Sequence, residues 1–137
     1  MLRSKLATFI GAVILAGSAF AGQNSVCPDL NAIKAEGMAM AEELGPNIYL
    51  TYNISNYNTE SLWGFIIAPL EGDSIDVALD EANEVLASMS APGVPEQHNG
   101  ATICDYDTGR QDLFAAAINA DEPITPMSLK SFFKRAH

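Results

Sequence analysis

The sequence predicts an α+β domain: a small three-stranded sheet, made of one hairpin plus one further strand, packed with three to four helices and closed by one disulfide. Three observations predict it. Residues 47 to 55 alternate, with Ile48, Leu50, Tyr52 and Ile54 on one face and Tyr49, Thr51, Asn53 and Ser55 on the other, which is the pattern of a half-buried strand. Ile75, Ala78, Leu79, Ala82, Val85, Leu86 and Met89 form one stripe at helical spacing, while Asp76, Asp80, Glu81 and Glu84 face water. Glycine and proline clusters divide the rest of the chain into further short elements in the order α, β, β, α, β, α, α.

The elements follow in order. Pro28 suits the first turn of a helix, where its missing N–H costs nothing, and Leu30, Ile33, Gly37, Met40, Ala41 and Leu44 continue at helical spacing to Gly45 and Pro46. After the strand at 47 to 55, Asn56 to Ser61 carry turn-forming residues, and Leu62 to Ala68 completes a hairpin. This second strand is apolar on both faces, with Leu62, Ile66 and Ala68 on one and Trp63, Phe65 and Ile67 on the other. Both faces therefore need cover from protein, a partner or a ligand. Asp73 or Ser74 caps the helix that begins at Ile75. Pro92, Gly93, Pro95, Asn99 and Gly100 mark an irregular loop, and Ala101 to Tyr106 is a third strand. A third helix is expected from about Arg110 to Asn119, and Thr125 and Pro126 start a short basic helix with Met127, Leu129, Phe132 and Phe133 beside Lys130, Lys134 and Arg135. The sequence contains no internal repeat.

Of the 137 residues, 48% are hydrophobic and 18% charged, which excludes collagen, coiled coil and low-complexity disorder. Residues 1–21 read as a secretory signal: Arg3 and Lys5, an apolar run from Leu6 to Gly17, and the small-residue site at Ala19, Phe20 and Ala21. The mature chain is expected to begin at Gly22, to form one domain over 22–137, and to be secreted, to the periplasm or beyond the cell. The apolar run is too short to span a bilayer, so the mature protein is not expected to be membrane-spanning. Removing the signal leaves five cations against 17 acids, a formal charge of −12. A surface of that sign repels phosphate backbones, which excludes nucleic acid as a partner. Export also lets Cys27 and Cys104, the only two cysteines, pair as a disulfide.

Catalytic motifs are absent. The histidines are His98, in the proline-rich loop, and His137, the last residue; no serine sits in a G-x-S-x-G elbow. The carboxylate pairs Glu71 with Asp73 and Asp105 with Asp107 are what 17 acids produce by chance, and the run from Asp105 to Gly109 lacks the Glu that completes a calcium loop. No enzyme activity and no resident cofactor or metal are expected. The aromatics carry more information, because Tyr49, Tyr52, Tyr57, Trp63 and Phe65 crowd the hairpin and Tyr106 lies on the third strand. Such residues either pack across strands or line an apolar slot.

The opening Cys27, Pro28, Asp29, Leu30 with Ile33 and Lys34, the Trp63 strand, and the segment from Ile103 to Arg110 resemble a family of small exported bacterial proteins that includes a hemin-binding member. The resemblance implies a secreted, non-enzymatic binding protein for an apolar small ligand such as hemin. Hemin needs an apolar slot, an axial ligand and cations for its propionates. Trp63 and Phe65 would then line the slot, His98, Tyr49, Tyr57 or Tyr106 would ligate, and Arg110, Lys34 or the terminal cations would meet the carboxylates. The alternative is a secreted effector or interaction module that contacts a host or envelope protein through the Trp63, Phe65, Ile67 stripe or the C-terminal basic helix.

Overall fold

A computed structural model describes residues 27–98, 100–120 and 122–136. The expected signal at 1–21 and chain start at Gly22, Asn99 and His137 lie outside the described residues. The described chain forms one six-stranded antiparallel sheet and three helices, so the expectation of a three-stranded sheet with three to four helices is corrected. Three segments account for the difference.

The first is the stretch expected to continue the opening helix. Helix α1 (Leu30–Glu36) is capped by the Asp29 carboxylate, which accepts from the Asn31 N–H at 3.0 Å, and it stops at Gly37, whose φ of 74° belongs to glycine. Asn83 holds the chain in its new direction: its Oδ1 accepts from the Met38 N–H at 2.9 Å and its Nδ2 donates to the Met38 carbonyl at 3.1 Å. The next residues form strand β1 (Met40–Gly45), which turns through Pro46 and Asn47 into β2 (Ile48–Ser55) with Met40 opposite Tyr52 and Glu42 opposite Leu50. Met40, Ala41 and Leu44 fit a helical period only because a six-residue strand is too short to display its own. Strand β3 (Trp63–Glu71) closes the hairpin as expected, beginning one residue and ending three residues later than its pattern indicates.

The second correction is β4 (Val94–His98), expected as loop. Every residue of it is exposed, so it shows no alternation, and Pro95 is tolerated because the strand lies at the sheet edge with one neighbour only. It pairs with β5 (Ala101–Tyr106), whose bounds match the expectation. The third is β6 (Phe114–Ala120), which falls within the stretch expected as a helix from about Arg110 to Asn119. It is a central strand paired to β3 on one side and β5 on the other, and ladder bonds on both edges with burial on both faces outweigh the helix preference of alanine. Helices α2 (Ile75–Ser88), capped by Ser74, and α3 (Pro126–Ala136) lie where the sequence places them.

The strand order is β1-β2-β3-β6-β5-β4. A helix followed by a three-strand meander thus occurs twice, α1 with β1 to β3 and α2 with β4 to β6, although no sequence repeat announces it. Residue parity divides the core between two sheet faces. On the first face Tyr49, Trp63, Phe65, Ile67, Ala115, Ala117, Cys104 and Tyr106 are buried under Leu30 and Ile33 of α1 and Ala78, Ala82, Val85 and Leu86 of α2. On the second, Leu50, Tyr52, Ile66, Ala68, Ile103, Ala116 and Ile118 meet Leu129 and Phe133 of α3. Gly64 lets α3 come this close: a Cβ there would lie 2.7 Å from methyl carbons of both Leu129 and Ile124. Both faces of β3 are therefore covered by the protein itself.

Candidate functional site

The second face is only partly roofed. Helix α3 contacts β1 and β3, and beyond it the sheet formed by β4, β5 and β6 floors a groove of about 580 Å³. Side-chain alternation assigns the floor: His98, Ala101 and Ala120 form one cross-strand row, and Glu96, Ile103 and Ile118 the next. Phe114 lies further along β6, and Asp105 further along β5. Leu129, Phe132 and Arg135 of α3 form one wall, and Glu122, Pro123 and Ile124 of the connecting segment another. The Phe114 and Phe133 rings meet with centroids 6.1 Å apart, and the Arg135 guanidinium carbon lies 5.9 Å from the Phe132 centroid. The result is a concave apolar surface with charged groups at its margin, the usual make-up of a small-molecule site.

Of the residues expected to bind a ligand, the structure brings His98 here and, of the terminal cations, Arg135. The His98 Nε2 lies 3.8 Å from a Glu96 carboxylate oxygen, with both side chains exposed. Trp63, Phe65, Tyr49, Tyr57, Tyr106 and Arg110 are elsewhere. Phe65 is fully buried and meets the Tyr106 ring edge-on, with centroids 5.6 Å apart. Trp63 is buried with its Nε1 donating to Thr59 Oγ1 at 3.1 Å, and Tyr49 is buried in the same cluster. These hairpin aromatics fill the core between sheet and helices, so they line no slot, and the Trp63, Phe65, Ile67 stripe offers no surface to a partner protein.

Tyr106 and Tyr57 are fixed there too. The Tyr106 hydroxyl donates to the Pro28 carbonyl at 2.6 Å, beside the disulfide that joins Cys27 to Cys104. The Tyr57 hydroxyl is buried with no hydrogen-bond partner among the described residues. Burial pushes both phenols well above the ordinary tyrosine range, with Glu36 adding to the effect on Tyr57 and Asp29 to that on Tyr106. Both side chains are buried in the first-face core and neither lines the groove. Arg110 is engaged by Asp112 at 2.7 and 3.1 Å and by Glu81 at 2.9 Å, and the Lys34 Nζ donates to the Ala87 carbonyl.

The groove residues that sequence reasoning missed come from β4, β5, β6, α3 and the segment that joins β6 to α3. Alternation of Ala101, Ile103 and Asp105 was the available signal, but its significance depends on β6 being a strand. Among the described residues no group of three His, Cys, Asp or Glu side chains converges on a metal position, and no helix is long and apolar enough to cross a membrane.

A sequence model of a family described as a domain of unknown function (DUF4949) matches residues 26–132. No curated protein and no solved structure matches the chain.

Proposed function

The chain belongs to the DUF4949 family, whose description names no activity, and we propose that it is an exported, non-enzymatic protein that binds an apolar small molecule in the groove between α3 and the β4–β6 half of the sheet. The observation that carries this is the groove itself. Its volume of about 580 Å³ falls within the roughly 300 to 1,000 Å³ of small-molecule pockets. Its floor and walls present Ile103, Phe114, Ile118, Ile124 and Phe132 to a ligand. The Cys27 to Cys104 disulfide is compatible with an oxidising compartment and so with export.

Hemin, the ligand implied by the family resemblance, is the first to test. His98 is the one histidine at the groove among the described residues and supplies the axial imidazole in that reading, with Arg135 nearest in kind to what a propionate needs. The test is an absorbance titration of the exported protein with hemin, alongside a fluorescence titration with a neutral apolar dye. Ala120→Trp, which places a ring in the end row of the floor, is expected to weaken binding at least about fivefold, the equivalent of about 1 kcal/mol, with the unfolding temperature unchanged. A shifted Soret band lost in His98→Ala identifies hemin and its ligand. Absence of saturable binding at micromolar concentration, or an Ala120→Trp protein that binds like the parent, overturns the groove reading.

A further inference from the structure

The charged margin of the groove bears on which apolar molecules it prefers. Glu96 and Glu122 belong to the same end: Glu96 stands in register with Ile103, and Glu122 follows closely on Ala120, which pairs with Ala101. Asp105 adds a third carboxylate further along β5. Against these the lining holds one guanidinium, Arg135, and that group lies over the Phe132 ring of its own helix. Lys130 and Lys134, the other cations of α3, are not part of the lining. The chain as a whole carries a formal charge of −10, so the long-range field acts in the same direction as the margin.

Resting on the apolar-ligand reading of this groove, we propose that its ligand is an amphiphile with a cationic head, a long-chain amine or quaternary ammonium, whose head sits between Glu96 and Glu122 and whose tail lies on Ile103, Ile118 and Phe132. A concave site with low-dielectric walls concentrates the field of its carboxylates, which attracts a cationic head and repels an anionic one, so this head-group assignment ranks a cationic amphiphile above hemin with its two propionates. The weakly hydrated methyl groups of a quaternary ammonium also tolerate the nearby phenyl ring, as in other sites that combine carboxylates with an aromatic.

The experiment is calorimetric titration of the exported protein at mildly alkaline pH. Three probes share one tail, dodecyltrimethylammonium, dodecyl sulfate and dodecyl maltoside, each kept below its micellar concentration. The cation is expected to bind at least about fivefold tighter than the sulfate, since each exposed ion pair contributes modestly. Glu96→Gln combined with Glu122→Gln should cut that preference to the smaller remainder that Asp105 and the net charge supply, and leave the maltoside affinity unchanged, which also reports that the variant is folded. Sulfate binding as tightly as the cation, or a preference undiminished in the double variant, overturns the head-group assignment while the groove reading stands. Saturable binding by none of the three overturns the groove reading instead.

Discussion

The two faces of the sheet use similar side chains to different ends. The first face holds most of the large aromatics, Tyr49, Tyr57, Trp63, Phe65 and Tyr106, and it is closed by two helices and a disulfide. The second has one helix, which covers the β1–β3 half and leaves Ile103, Phe114 and Ile118 beside open space. Aromatic density therefore marks where this protein is stabilised, and the proposed binding groove lies where helix cover ends. A residue on the first face should report on unfolding, and one in the groove should report on ligand.

The sharpest way to break that division is to cut the staple of the first face. Cys27→Ala with Cys104→Ala opens a loop whose ends are 77 residues apart, and loop-closure entropy puts the loss at about 4 to 5 kcal/mol. Urea unfolding of the variant against the oxidised parent measures it. Next comes a matched pair of truncations. Phe65→Ala, in the fully buried centre of the first face, should cost about 3 to 4 kcal/mol, whereas Leu129→Ala, which loosens one helix beside a groove that can collapse, should cost about 2 to 3 kcal/mol. Equal losses, or a larger one at Leu129, would mean that the second face carries as much of the fold as the first.

The smallest effects distinguish two tyrosines of one core. Tyr106→Phe removes the bond to the Pro28 carbonyl and should destabilise by about 1 to 2 kcal/mol, while Tyr57→Phe removes a hydroxyl that is buried without a partner and should stabilise by about 1 kcal/mol. Their titration gives a second reading. Both phenols have folded-state pKa values raised from 10.0. Their contribution is therefore complete below about pH 10 and is lost as pH rises toward the folded values, because the unfolded chain releases the protons first. Unfolding free energy measured between about pH 9 and 11 should fall with pH in the parent and fall less steeply in Tyr57→Phe.

How far the sequence discloses this architecture depends on whether a segment's environment matches its local preference. Helix α2 and strands β2 and β5 do so: their bounds agree with the sequence to within about a residue, although β2, expected to be half-buried, is buried on both faces at Tyr49, Leu50, Thr51 and Tyr52. Strand β6 does not, because Ala115, Ala116 and Ala117 favour a helix in isolation and become strand only through partners on both edges. Strand β4 is exposed on both faces, so it has no pattern to detect. The candidate site inherits both problems, since its floor consists of those two strands and β5. The aromatic crowding of the hairpin, by contrast, was plain in the sequence, but composition does not tell which face will receive a second helix.

The duplicated arrangement of one helix and three strands has a consequence for how the chain reaches this state. Within each meander every strand pairs with its neighbour along the chain, and only the seam between β3 and β6, with Ile66 opposite Ala116, joins distant segments. Local pairing is fast and distant pairing slow. The first meander is therefore complete while the inner edge of β3, apolar on both faces, still lacks its partner. Until β6 arrives, Phe65, Ile66 and Ile67 form an open template on which another copy could add a strand. The most protected strand of the finished protein is thus its chief aggregation hazard during assembly.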